Sequence, residues 1–369
     1  MSEPVRVLNV DWSMTFGGGE SFIMNVYRNI DRSKVQFDFI LHSKNIGYYD
    51  DEIRKLGGKI YYIDEYKLFN HLSYVNQWKN FFKEHKEFKI IHGHMTGTAS
   101  IYLNIAKKFG LKTIAHSHLT SSNGIITGKI KDMMRKNIRY VSDYMFACSM
   151  EAGIFLFGKE NIGKFKVIKN AINSQDYIFD SIKRNEYRDS FHLNDKFTIG
   201  HVARFLPVKN YEFILNLFNH IHKINNNTIL MLVGDGQLRN YIEKRIKDLN
   251  LEDSVVLTGA RSDINYLLSA MDLFLFPSLS EGLPFSLIEA QASGLHCVIS
   301  DVISDEVIIT DLVEKLSLNT SIEAWSNKIL NYSNGYIREN KQDSIIKAEF
   351  DIKKTAQWLQ EFYLNEDNN

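Results

Sequence analysis

The chain has 369 residues, 44% apolar and 24% charged, the make-up of an ordinary soluble globular protein with enough sequence for two cores. Its 44 basic and 44 acidic residues cancel, so no global field recruits nucleic acid and none is expected as a partner. No apolar run approaches the roughly 20 residues that span a bilayer. Met1-Ser2-Glu3-Pro4 runs straight into a strand-like stretch, so no signal peptide is expected. Cys148 and Cys297 sit singly in apolar runs, as buried thiols of a reducing compartment do, so a cytoplasmic location is expected.

Strand-like runs at Val5–Val10, Phe37–Leu41, Lys59–Ile63, Lys89–His92, Lys112–Ala115 and Tyr144–Ala147 alternate with longer segments of helical period. A polar stretch follows Val167-Ile168-Lys169-Asn170. Alternation then resumes at Phe197–Val202, Thr228–Val233, Val255–Leu257, Leu273–Phe276 and His296–Ser300. The pattern predicts an α/β protein with two Rossmann-like, doubly wound parallel-sheet domains. The first domain is expected over 1–173, a linker over 174–195, the second domain over 196–349 and a closing helix over 350–369. Ligands of such sheets bind beyond the carboxyl ends of strands, so the residues that follow each run are the candidates.

The first such turn, Phe16-Gly17-Gly18-Gly19-Glu20, precedes a helix-like run from Ser21. Its glycines allow close backbone approach to a ligand, although a plain flexible loop has the same composition. Two strand ends carry His92-Gly93-His94 and His116-Ser117-His118. Imidazoles are good zinc ligands, but neither pair has an acidic or cysteine partner close behind, and no metal is expected there. Residues 125–139, with Ile130, Met133, Met134 and Ile138 at helical spacing among basic residues, read as a solvated helix or as a peripheral contact with an anionic membrane.

The second half opens with Arg204 and Lys209 after a strand, two cations able to meet at one crevice. Gly234-Asp235-Gly236 turns tightly after the next strand. Then Pro277-Ser278-Leu279-Ser280-Glu281-Gly282-Leu283-Pro284-Phe285-Ser286-Leu287-Ile288-Glu289 follows a buried run, with Pro284 suited to a first helical turn. Two carboxylates flanking the amides of a helix start suit a nucleotide sugar, phosphate at the amides and hydroxyls on the acids. Ordinary surface glutamates can have the same spacing.

This last segment, with Glu281 and Glu289, resembles the signature of the family-four retaining glycosyltransferases, of which bacterial capsular and exopolysaccharide enzymes are examples. The Gly17–Glu20 turn is similar to that family's Gly-Gly-x-Glu opening. Asn170-Ala171-Ile172-Asn173 resembles its Asn-Gly-Ile-Asp turn with two departures. The resemblance implies the GT-B fold, two domains facing a central cleft. It implies Gly17, Gly18, Arg204, Lys209, Gly234, Gly236, Gly282, Leu283, Phe285, Ser286 and Glu289 at the donor, with Arg204 and Lys209 on the diphosphate and Glu289 on the ribose. Glu281 would orient the donor sugar, and His116, or His118 as second choice, would stand near the reacting centre.

The implied activity is retaining transfer of a hexosyl or N-acetylhexosaminyl group from a nucleotide-diphosphate sugar, most naturally a UDP-sugar, to a hydroxyl of a glycan or lipid-linked glycan. No cofactor is implied, because the two cations replace a metal at the diphosphate and no Asp-x-Asp motif is present. The protein would work in the cytoplasm, free or peripheral on the plasma membrane. A nucleotide-sugar epimerase of the same fold and a non-catalytic glycan- or nucleotide-binding scaffold are the competing readings.

Overall fold

The computed structural model describes residues 3–15, 17–118, 128–281 and 283–368, with backbone alone for 128–134 and 368. The chain forms two units, divided between Ala171 and Ile172 and again between Phe350 and Asp351. In the first unit the strands are β1 (Val5–Asp11), β2 (Val35–Leu41), β3 (Ile60–Tyr62), β4 (Ile90–Gly93), β5 (Lys112–Ser117), β6 (Tyr144–Ala147) and β7 (Lys166–Val167). They pair in the order β3-β2-β1-β4-β5-β6-β7, all parallel. Its helices begin with α1 (Gly18–Asn29), α2 (Asp50–Lys55), α3 (His71–Glu84), α4 (Ala99–Lys108), α5 (Gly128–Val141) and α6 (Met150–Phe157).

The second unit carries β8 (Phe197–Val202), β9 (Thr228–Val233), β10 (Val255–Gly259), β11 (Leu273–Phe276), β12 (Cys297–Ser300) and β13 (Val313–Leu316). Their order is β10-β9-β8-β11-β12-β13, again parallel. Its helices are α7 (Ser181–Ser190), α8 (Tyr211–Ile224), α9 (Arg239–Asp248), α10 (Ile264–Ala270), α11 (Phe285–Ala292), α12 (Ile322–Leu330) and α13 (Gln342–Lys347). The final helix, α14 (Ile352–Asn368), belongs to the first unit, where Ala356, Leu359 and Tyr363 join the core beneath β1 and β2.

Strands β8, β9, β11 and β12 are buried along their whole length. Helices cover both faces of a parallel sheet, which is why β9, β11 and β12 read as nearly continuous apolar runs, while β8 buries Thr198 and His201 among its apolar residues. In each sheet the strand order reverses beside the first strand, at β1/β4 and at β8/β11. Loops leaving those strands diverge and open a crevice at the carboxyl edge.

Residues 174–195 are not a linker. They form a short turn at Ser174–Tyr177 and helix α7, both within the second unit. Arg184 and Arg188 from α7 donate to the two carboxylate oxygens of Asp272, at 2.5 and 3.1 Å, and Arg188 also caps the Leu193 carbonyl at 2.7 Å. Two of the charges in this polar stretch, Arg184 and Arg188, are spent on this clamp. Helix α1 starts at Gly18, three residues earlier than its sequence suggests, because extended Gly17 accepts the first helical hydrogen bond from Ser21.

Candidate active site

In the second unit the groups of interest gather where β8, β9 and β11 end. Arg204 follows β8 on an exposed turn, and its guanidinium has no partner among the described residues. Lys209 ends the short turn Pro207–Lys209, whose next residue, Asn210, takes the left-handed conformation at φ +63° and starts α8. The Asn210 amide donates to the Pro277 carbonyl at 3.1 Å, and the Leu279 N–H donates to the Val208 carbonyl at 2.8 Å. These bonds lash the loop after β8 to the loop after β11.

Across that seam Lys209 Nζ donates to Glu281 Oε1 at 2.6 Å, with the side chains only 16% and 11% exposed. The lysine also lies 5.1 Å from the centre of the Phe276 ring, so an aromatic face as well as a carboxylate holds its charge. The sequence reading gave these two residues separate tasks; the structure makes them one ion pair.

Gly234 and Gly236 have φ of +139° and +155°. A Cβ on Gly234 would stand 2.0 Å from the Ala203 carbonyl oxygen, and one on Gly236 would stand 2.9 Å from the Phe205 backbone. The glycines are therefore needed for packing against the chain's own loop after β8, which Phe205 N–H to Asp235 carbonyl, 2.9 Å, locks in place.

Helix α11 begins at Phe285, with Pro284 as its cap rather than in its first turn. Leu283, Phe285 and Ser286 are partly exposed at that end, and Gly282 lies outside the described residues. Glu289 sits one turn in, where it accepts a hydrogen bond from the Tyr177 hydroxyl at 2.7 Å. Burial pushes its carboxyl up to about 7, against the lowering effect of that bond. Tyr177 went unnoticed in the sequence because nothing in its local pattern marks a partner 112 residues away.

In the first unit Gly17 and Gly18 open α1, and burial with the neighbouring Glu20 charge pushes the Asp11 carboxyl at the end of β1 up to about 7. The four strand-end histidines form one stack. His92 and His94 lie 4.2 Å apart ring to ring, His116 and His118 4.3 Å, and His92 and His116 meet edge to edge at 5.3 Å with an interplanar angle of 11°. His116 is fully buried and edged by Phe22, while His118, one residue beyond β5, is partly exposed. That placement favours His118, the second choice from sequence, as the ring nearer a ligand.

Nitrogens of His92, His94 and His116 fall within 4.8 Å of one another. Five of their six nitrogens are engaged with one another, with His118, with Tyr363 or with Asn9, while His116 Nε2 is buried without a partner among the described residues. Burial drives all four rings to the neutral form, His92 to about 3 and His118 to about 4.

Residues 125–127 and the side chains of 128–134 lie outside the described residues. Of the remaining basic groups in 125–139, Arg135 stacks over Phe155 at 4.5 Å and Arg139 donates to the Phe157 carbonyl at 3.1 Å. Two charges considered for a membrane thus bind their own unit. Among the described residues no helix is long and apolar enough to cross a membrane.

The family model "Glycosyl transferases group 1" matches residues 183–349. A Bacillus subtilis (strain 168) protein named as the glycosyltransferase EpsF is 36% identical over 336 residues, covering 89% of this chain and 88% of that one. The chain belongs to glycosyl transferases group 1. Another relative, the Escherichia coli UDP-Gal:alpha-D-GlcNAc-diphosphoundecaprenol alpha-1,3-galactosyltransferase, is 25% identical over 368 residues, 89% of each chain. The crystal structure of Anabaena Alr3699/HepE in complex with UDP and glucose superposes with a TM-score of 0.78 at 18% identity, covering 97% of this chain and 99% of that one. This glycosyltransferase therefore has the GT-B fold, with a seven-stranded and a six-stranded parallel sheet.

Proposed function

We propose that this group 1 glycosyltransferase moves a sugar from a UDP-sugar to a hydroxyl of a glycan or lipid-linked glycan, with retention at the anomeric carbon, in the synthesis of a bacterial surface polysaccharide. The carrying observation is the Lys209–Glu281 pair that joins the loops after β8 and β11 near the start of α11, with Arg204 exposed on that same loop after β8. Cleaving a nucleotide sugar leaves a diphosphate whose charge grows in the transition state, and preset cations lower that barrier. Arg204 and Lys209 supply them without a metal.

In this reading Glu289 accepts from the ribose hydroxyls, and the amides of Leu283, Phe285 and Ser286, with Gly282, meet the phosphate and sugar. Glu281 orients the sugar. Within the first unit, Gly17, Gly18 and a strand-end histidine, His118 ahead of His116, are the groups assigned to binding a sugar. The UDP and lipid-linked parts draw support from what the galactosyltransferase relative is named for and from the UDP and glucose of the HepE crystals. Location on the inner face of the plasma membrane follows from a lipid-linked acceptor.

Nuclear magnetic resonance of UDP-glucose, UDP-galactose and UDP-N-acetylglucosamine with the full chain, with and without membrane acceptor extract, tests this. Expected is donor consumption that requires acceptor, with an α-anomeric product. Conversion without acceptor would mean an epimerase, and binding with no turnover on any acceptor would mean a scaffold.

A further inference from the structure

The histidine stack contains a directed chain of hydrogen bonds that runs from β1 to the end of β5. Asn9, inward on β1, holds its amide nitrogen 3.5 Å from the Val7 carbonyl, so the amide oxygen must face the other way. Two carbonyl oxygens would otherwise confront each other in a buried space. That oxygen meets His94 Nε2 at 3.2 Å. As an acceptor only, it requires the proton of His94 to sit on Nε2.

Since burial keeps His94 neutral, its Nδ1 is bare. His118 Nε2 approaches that nitrogen at 2.9 Å and must therefore carry a proton. The remaining nitrogen, His118 Nδ1, is left as a lone pair, covered and without a partner among the described residues. Gly19 at the head of α1 packs on the same ring, since a Cβ there would stand 3.3 Å from it, and Phe22 tilts against it at 5.7 Å. The ring is thus fixed in position by packing and in tautomer by Asn9.

We infer that Asn9 and His94 are positioning residues that hold His118 as the Nε2–H tautomer, so that its bare Nδ1 accepts a hydrogen bond from a sugar hydroxyl. A donated hydroxyl is the partner this buried acceptor lacks. The chain also cannot export charge. A proton taken up at His118 Nδ1 could release the one on Nε2 to His94, but His94 could pass nothing on to an amide oxygen. His118 consequently works as a neutral acceptor that orients a hydroxyl and not as a proton shuttle. The ligand part rests on the proposed function; the tautomer order stands on the geometry alone.

Two-bond proton–nitrogen correlation on full-length protein with labelled histidines reads each ring nitrogen directly. His118 is expected to show a protonated Nε2 and a bare Nδ1, and no variant is needed to see it. His94→Gln retains a donor for Asn9 and an acceptor for His118, and should keep that pattern. His94→Leu should leave His118 in mixed tautomers and lower kcat for sugar transfer about tenfold, one hydrogen bond's worth, with UDP affinity unchanged. A proton on His118 Nδ1 in the native protein overturns the inference, as does an unchanged tautomer in His94→Leu. Absence of transfer from any donor by a native protein with the expected tautomers would overturn the proposed function and leave the hydrogen-bond order standing.

Discussion

Lys209 and Glu281 are one another's partner, 2.6 Å apart and largely covered. A diphosphate arriving at Lys209 must compete with that carboxylate, which also repels it. Glu281→Gln keeps the shape and removes the charge. UDP should then bind about threefold to tenfold more tightly by calorimetry, while kcat for transfer falls by about tenfold or more through lost orientation of the sugar. Weaker UDP binding in this variant would contradict the competition.

Arg204, exposed and free of partners among the described residues, and Lys209 are assigned to the diphosphate. Charge-assisted hydrogen bonds are worth about 1.5–3 kcal/mol each, so Arg204→Ala with Lys209→Ala should weaken UDP by at least about hundredfold. Uridine, which has no phosphate, should bind the variant as it binds the native protein. Equal losses for the two ligands would remove the diphosphate role.

If the same two cations carry the leaving-group charge as proposed, no metal is needed there. Transfer should persist in excess chelator at the rate seen without it, measured as release of UDP. Abolition by chelator with recovery on adding magnesium would show that a metal shares the charge.

Glu289 gives a pH dependence whose sign can be worked out. Its carboxyl titrates near 4.5 in the unfolded chain and near 7 in the folded one, because burial disfavours the charge. Between those values the folded protein keeps a proton the unfolded chain has lost. The contribution is fully present below about 4.5 and is lost as pH rises through about 7. In urea titrations the native protein should therefore lose stability relative to Glu289→Gln as pH rises through that window. UDP affinity should change the other way, rising through about pH 7 in the native protein and staying flat in Glu289→Gln, since only the ionised carboxylate accepts from both ribose hydroxyls. Parallel profiles would remove Glu289 from the ribose.

Apolar runs made most of the fold legible, because a parallel sheet covered on both faces demands continuous buried strands such as Leu273–Phe276. Strand β13, Val-Glu-Lys-Leu at the sheet edge and only partly buried, has no such run and escaped notice. Local pattern likewise placed Arg204 and Lys209 after a strand and Glu289 one turn into a helix. It could not pair Lys209 with Glu281, Tyr177 with Glu289 or Asn9 with His94, since those contacts join positions 72, 112 and 85 residues apart. One signal for the last was present: a lone Asn among the apolar residues of β1, which once buried must find a partner.

Gly234 offers a test of how the site is held together. Its φ of +139° is strained for any side chain, and a Cβ would stand 2.0 Å from the Ala203 carbonyl oxygen, a backbone atom that cannot swing aside. Gly259 in the same unit also has positive φ, +73°, but its Cβ would meet nothing nearer than Arg239 Nη1 at 3.9 Å. Gly259→Ala should thus cost only backbone strain, about 1 kcal/mol. Gly234→Ala should cost about 2–4 kcal/mol in urea titrations, because the loop carrying Arg204 must move to admit the methyl. The displaced loop should also weaken UDP binding in Gly234→Ala and leave it intact in Gly259→Ala. Equal costs for the two substitutions would mean that the close approach to Ala203 is not what requires glycine there.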